Sequence, residues 1–193
     1  KSCEVKGISL SKNQINYCKN KAEELGLSNQ VNFELADYRE IKGKFDRIYS
    51  VGMFEHVGKK FYKVFFESIN KLLKQDGIFL LHTIGVVDKP SPPNKFINRY
   101  IFPGGVCPSL SQIIQPLEKT GLIVSDGETL IRHYDKTLIA WLDRFLAKKN
   151  IVKDLFDEKF VKMWEFYLAS CAAAFRYRDL AVFQLQIVKN LQN

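Results

Sequence analysis

Four short apolar runs punctuate the first 86 residues, and the helical patterns between them leave few folds open. "CEVKGI" (3–8) alternates as a strand does. "SLSKNQINYCKNKAEELGL" (9–27) then sets Ile15, Cys18, Ala22 and Leu25 at helical spacing, with Ser9 or Ser11 as N-cap and Gly26 as C-terminal stop. "VNFEL" (31–35) is a second strand, "ADYRE" a loop, and "FDRIYSV" (45–51) a third strand. Tyr62, Phe65, Phe66, Ile69, Leu72 and Leu73 form an amphipathic stripe ended by "QDG", and "GIFLLHTI" (77–84) is a buried fourth strand. The order strand–helix–strand–strand–helix–strand predicts an α/β fold built on an open sheet of mostly parallel strands.

Regularity lapses from Val86 to Pro108, a stretch that carries five of the six prolines and the pair Gly104–Gly105. So long an irregular segment inside a compact domain points to a lid or binding insertion, with a plain surface loop as the alternative. "LSQIIQPLEKTG" (110–121) resumes as a helix, and "LIVSDGETLI" (122–131) as a strand or strand pair. Two long helices follow; the last sets Phe160, Met163, Trp164, Tyr167, Leu168 and Cys171 on one face. With 193 residues, 46% hydrophobic and 13% aromatic, the chain fits one globular domain spanning 1–193, with 86–108 as its insertion. An α/β fold of this type opens on a strand and a glycine-rich loop, and nothing here resembles GxGxxG. The first strand looks like the second of such a sheet, so an N-terminally truncated domain is expected.

The formal net charge of +8 attracts polyanions, either nucleic acid or the anionic face of a bilayer. There is no arginine-rich tract and no zinc-finger or RNA-binding signature. Cys3, Cys18, Cys107 and Cys171 show no CxxC spacing, so reduced thiols are expected and no metal site. No apolar stretch has the roughly 18 residues of a membrane span, and the first residues lack a signal-peptide core, which predicts a soluble protein of the cell interior.

In open α/β sheets, ligands bind beyond the carboxyl ends of the strands. "SLSKNQ", "ADYRE", "GMFEHVG" and "HTIG" all fall there. His82 is either a satisfied structural histidine at the edge of the core or a site group. Glu55 is either a helix-start carboxylate, favoured by the dipole, or a site group. Their placement at neighbouring strand ends raises the second reading for both.

Five separated motifs, "FDRIYSVGMFEHVG", "GIFLLHTIG", "INRYIFPGG", "HYDKTLIAW" and "FYLASCAAAFRYRD", closely resemble the cyclopropane-fatty-acyl-phospholipid synthases and their mycolic acid relatives. The resemblance runs from about Gly7 to Gln184. It implies a class I methyltransferase fold with a Rossmann-like sheet, here N-terminally truncated, with a lipid-binding insertion and C-terminal helices. It also implies transfer of a methylene from S-adenosylmethionine to a cis double bond of a phospholipid acyl chain. Carried over residue by residue, Ser9, Leu10, Ser11, Lys12, Asn13 and Gln14 would line the methionine-ribose part of the cofactor site, with Asp37 and Tyr38 beside the adenine. Glu55, His82, Tyr134 and the backbone of Ile84 would hold a bicarbonate ion. Cys171 matches a cysteine given as the family's active-site residue, although its place on an apolar helical stripe reads first as packing. The family's glycine-rich cofactor loop and an upstream bicarbonate-pocket cysteine have no counterpart here.

The residue types suit that chemistry. Methylating an alkene leaves a carbocation, and ring closure needs loss of a proton from the new methyl group. A weak, held base such as bicarbonate serves beside a sulfonium electrophile. Glu55 is then expected to accept the bicarbonate hydroxyl, with His82 donating to another oxygen and Tyr134 offering its face to the cation. Phe96, Ile97, Tyr100, Ile101 and Phe102, beside Lys95 and Arg99, would form the acyl-chain entrance at a membrane surface. The expected partners are unsaturated phospholipids, not nucleic acid, with a homodimer compatible. The expected location is cytoplasmic, peripheral to the inner membrane face. Two rivals stand beside this reading: a sibling lipid C-methyltransferase without ring closure, and a non-catalytic lipid-binding remnant.

Overall fold

The computed structural model describes residues 3–92 and 94–189. The chain divides between Lys44 and Phe45 into two compact units.

The first unit is a parallel pair, β1 (Val5–Ser9) beside β2 (Val31–Leu35), with α1 (Lys12–Glu24) as the crossover. Ser11 caps α1, its hydroxyl accepting from the Gln14 N–H at 3.3 Å. Ile15 and Ala22 are the buried members of the helical stripe, whereas Leu25 is exposed. Gly26 ends the turn at φ +66°, a left-handed conformation that a side chain would strain.

The second unit is a four-stranded sheet in the order β3 (Phe45–Val51), β4 (Leu73–Val86), β6 (Leu180–Lys189), β5 (Leu122–Leu130). β3 and β4 are parallel, while β6 runs antiparallel to both β4 and β5. The sheet is therefore mixed rather than mostly parallel, and β6 is an element that the periodicity did not expose. Helix α2 (Tyr62–Leu72) buries Tyr62, Phe65, Phe66 and Ile69, the stripe expected of it. It then runs straight into β4: Leu73 is fully buried and already extended. The "KQDG" segment is a bulge, because the pairing steps from Phe45↔Leu73 to Arg47↔Ile78. Lys74 within it pairs with Asp46 at 2.9 Å.

The irregular segment after β4 contains one helix, α3 (Lys95–Tyr100), and is followed by α4 (Leu110–Glu118). Its two ends meet: the Val86 N–H donates to the Pro108 carbonyl at 3.0 Å, and Val86 bridges Ser109. This close approach requires Gly85, where a Cβ would fall 2.4 Å from the Pro108 oxygen. After β5 come the two long helices expected, α5 (His133–Ala147) and α7 (Glu158–Tyr177), with a short α6 (Lys149–Leu155) between them. Asp157 caps α7 by accepting from the Phe160 N–H at 2.6 Å.

Helices α5 and α7 pack together over the sheet around Leu138, Tyr167, Leu168, Ala172, Phe175 and Val182. Phe96, Ile97 and Ile101 of the irregular segment pack against the same cluster. The two helices are also joined by an ion pair, in which Arg176 Nε donates to Asp135 Oδ2 at 2.7 Å. The Arg176 hydrogen bond holds the Asp135 carboxyl below the usual carboxylate range. A lowered carboxyl pKa stabilises the fold above the unfolded value of about 3.9, and the contribution is lost as pH falls through the folded value. Asp135→Asn is therefore expected to melt below the wild type at neutral pH, with the gap closing as pH falls through the acid range. Calorimetry across pH checks this, and a gap constant with pH would refute it.

Candidate active site

The residues singled out for the cofactor all lie in the first unit. Because β1 and β2 are parallel and in register, with Ser9 opposite Leu35, their carboxyl ends present Ser9–Gln14 and Asp37–Tyr38 at one edge. The Ser9 hydroxyl donates to Gln14 Oε1 at 2.7 Å and accepts from the Ser11 N–H at 3.1 Å, so the turn into α1 is set by its own side chains. Lys12 and Asn13 occupy the first helical positions after the Ser11 cap, where backbone N–H groups point out of the helix end. Leu10 is exposed, an apolar side chain beside these polar groups. Asp37 accepts a two-pronged contact from Arg39, Nε at 2.8 Å and Nη2 at 2.6 Å, which keeps its carboxyl ionised below the ordinary range. Burial raises the phenol of the adjacent Tyr38.

The residues singled out for catalysis all lie in the second unit. Glu55 sits in a short 3-10 turn, Phe54–His56, just beyond the end of β3, and is 8% exposed. Phe54 anchors that turn, fully buried and stacked on Tyr62 at 4.2 Å between ring centres. Glu55 Oε1 accepts from the Ile84 N–H at 2.7 Å, whereas Oε2 is buried with no donor. The Ile84 backbone was expected from the resemblance to help hold bicarbonate, but its N–H is taken by Glu55 itself. His56 turns elsewhere, its ring edge-on to Phe102 at 5.8 Å.

Ile84, Tyr134 and Cys171 come together on the cluster under α5 and α7. Tyr134 packs against Phe175 at 5.1 Å, and its phenol is raised first by burial and then by the Glu55 charge. The Glu55 charge is felt also by Tyr62, whose phenol burial pushes up to about 12 and whose hydroxyl has no partner. Cys107, in the segment after β4, feels it too. Neither Tyr62 nor Cys107 was flagged by the sequence patterns; Tyr62 was read as core stripe, and Cys107 lay in the irregular stretch. His82 lies two residues before Ile84 and so on the same face of β4, its Nδ1 directed at Gln184 Oε1, 3.4 Å away.

Burial pushes the Cys171 thiol up to about 11 and the Cys107 thiol up to about 12. Neither is a thiolate at neutral pH, which favours packing and pocket lining for Cys171 over nucleophilic attack. Iodoacetamide at pH 7.5 should therefore alkylate Cys171 about 10²-fold or more slowly than the exposed Cys3. Peptide mapping of a time course checks it; equal rates would restore the nucleophile.

Residues 2–185 match the family described as "Mycolic acid cyclopropane synthetase". The cyclopropane-fatty-acyl-phospholipid synthase of Escherichia coli K12 is 41% identical over 189 residues, 98% of this chain and 48% of that protein. A probable fatty acid methyltransferase of Pseudomonas putida is 34% identical over 96% of this chain and 49% of its own length. Among solved structures, the mycolic acid cyclopropane synthase CmaA1, complexed with SAH and CTAB, superposes with a TM-score of 0.88 at 32% identity, over 96% of this chain and 70% of that one. The chain spans about half the length of the curated relatives it matches. Its architecture is the α/β fold of the class I methyltransferases, and the chain belongs to the mycolic acid cyclopropane synthetase family.

Proposed function

We propose that the protein is an S-adenosylmethionine-dependent lipid methyltransferase, and more narrowly a cyclopropane-fatty-acyl-phospholipid synthase acting on cis double bonds of phospholipid acyl chains. The observation that carries this reading is the half-satisfied carboxylate of Glu55. A buried carboxylate oxygen without a donor is costly, so the pocket calls for a ligand that brings a hydroxyl proton. The unpartnered Tyr62 hydroxyl, coupled to the same charge, calls for an acceptor. Bicarbonate carries both a hydroxyl and free oxygens, and it fits these orphaned atoms better than a fully deprotonated anion would.

When bound, S-adenosylmethionine supplies the electrophilic methyl group and bicarbonate the weak base. Glu55 Oε2 would accept a hydrogen bond from the hydroxyl of the anion and so orient it, while the Ile84 N–H fixes the Glu55 side chain. Tyr134, packed against Phe175 at 5.1 Å and close enough to feel the Glu55 charge, would offer an aromatic face to developing positive charge. In the first unit, the ionised Asp37, clamped by Arg39, would offer an acceptor beside the adenine, with Tyr38 next to it. Ser9, Leu10, Ser11, Lys12, Asn13 and Gln14 furnish hydroxyls, backbone N–H groups and one apolar contact for the methionine and ribose. Cys171, packed on the cluster under α5 and α7, would line the acyl side of the site.

The acceptor chain would enter along the segment 86–108. Val87, Tyr100 and Phe102 are exposed there, and Arg99 lies over the Tyr100 ring at 5.3 Å. Apolar rings beside Lys95 and Arg99, on a chain of net charge +8, suit contact with an anionic bilayer surface from the cytoplasmic side. No helix among the described residues is long and apolar enough to cross a membrane.

A sibling activity, methylation without ring closure, is the second reading, favoured by the likeness to the Pseudomonas putida fatty acid methyltransferase. Incubating the full-length protein with labelled S-adenosylmethionine and unsaturated phospholipid vesicles decides between them by NMR of the extracted acyl chains. Cyclopropane methylene signals are expected; a methyl-branched or methylene-branched product would support the sibling activity, and no label transfer would leave a lipid-binding remnant. Glu55→Gln should lower turnover by about 10²-fold with vesicle binding intact. Equal loss of both would remove Glu55 from the catalytic role.

A further inference from the structure

The three strands β5, β6 and β4 carry Glu128, Gln184 and His82 as directly opposed neighbours, Glu128 facing Gln184 and Gln184 facing His82. Directly opposed residues on paired strands share a face and lie within side-chain reach. Gln184 Nε2 donates to Glu128 Oε2 at 3.2 Å, and Gln184 Oε1 stands 3.4 Å from His82 Nδ1. One rung further along, Asp126, Gln186 and Leu80 repeat the acid–amide pair, with Gln186 Nε2 3.5 Å from Asp126 Oδ2. That rung ends on a leucine and can carry nothing onward.

The chemistry of the groups fixes the direction of this row. An ionised carboxylate only accepts, so the amide must turn its NH₂ toward Glu128. Its carbonyl oxygen then faces His82, and a carbonyl oxygen also only accepts. The proton between them must sit on His82 Nδ1. A neutral imidazole has one such proton, which leaves Nε2 with its lone pair exposed.

We infer that Glu128 and Gln184 are positioning residues that lock neutral His82 in the Nδ1–H tautomer, with Nε2 as a hydrogen-bond acceptor. This reverses the donor role expected of neutral His82 from the sequence. Neutral His82 then offers only a hydrogen-bond acceptor at Nε2, and it donates there only as imidazolium. For the bicarbonate pocket, the inference rests on the function proposed above; the tautomer itself does not.

The chain has three histidines, so uniformly ¹⁵N-labelled protein resolves them by long-range proton–nitrogen correlation, with His82→Gln giving the assignment. The wild type should show neutral His82 as Nδ1–H. In Gln184→Leu the Nδ1–H form should become the minor one. Glu128→Gln, an exposed change with little risk to the fold, frees the amide to turn and should also lower the Nδ1–H share. An Nε2–H wild type, or a tautomer ratio unmoved in both variants, would overturn the inference. In full-length enzyme, Gln184→Leu should lower kcat with the KM for lipid unchanged, as a merely structural loss would not. If the wild type makes no cyclopropane yet shows the Nδ1–H signature, the proposed function falls and the positioning row stands.

Discussion

The hydrogen bond from the Ile84 N–H to Glu55 Oε1, 2.7 Å long, is the contact on which the arrangement of the second unit turns. It pins the residue just past the end of β3 to the backbone of β4. The Glu55 carbonyl accepts from the Val106 N–H at 2.9 Å, so the same residue ties down the far end of the irregular segment. One buried carboxylate thus joins a strand end, a neighbouring strand and the chain that crosses above them. Removing a charge from water is expensive, and one amide meets only part of its demand. The aromatic packing of Phe54 on Tyr62, Phe65 and Phe66 holds the turn in place regardless. Hydrophobic burial, worth about 1.5–3 kcal/mol for each large side chain, sustains an unsatisfied polar atom that a ligand can complete.

Around that carboxylate the environment is dry and aromatic, and its effects on neighbouring groups agree with one another. The phenols of Tyr62 and Tyr134 and the thiol of Cys107 are raised by burial, and each feels the Glu55 charge as well. Neutral donors rather than competing anions therefore surround the site. On the function proposed above, such neutral donors would suit an anion that still carries a proton.

Much of this was legible from sequence where the physics is local. The helical stripe Tyr62–Phe65–Phe66–Ile69 is buried as its spacing requires, and Glu55 lies just past the end of β3 as expected, whereas His82 sits inside β4, which continues to Val86, and not at a strand end. β6 escaped because it is covered on both faces: Ala181, Val182 and Phe183 are consecutive and all buried, which erases the period of two. The boundary between α5 and α6 escaped because no glycine or proline marks it; Lys148 simply leaves helical geometry at φ −113°, ψ 15°. The partners of His82 and Asp135 lie 102 and 41 residues away, and no periodicity reports such pairings. The polar pair Gln184 and Gln186, alternating within "VFQLQI", was a usable clue to a strand with one polar row, and it went unread.

The junction of Val86 with Pro108 and Ser109 sets what can vary in such a chain. With its ends clamped by backbone hydrogen bonds and by the bare Cα of Gly85, the intervening segment is a closed excursion from the sheet. Lengthening a closed loop costs only logarithmically in entropy, about 0.6 kcal/mol per doubling. That tolerance is confined to the turns between anchors, because the Val106 N–H bonds the Glu55 carbonyl and Phe96, Ile97 and Ile101 pack on the cluster under α5 and α7. Changes of length in those turns stop at the clamped ends, and the pairing of β3 with β4 is left as it is.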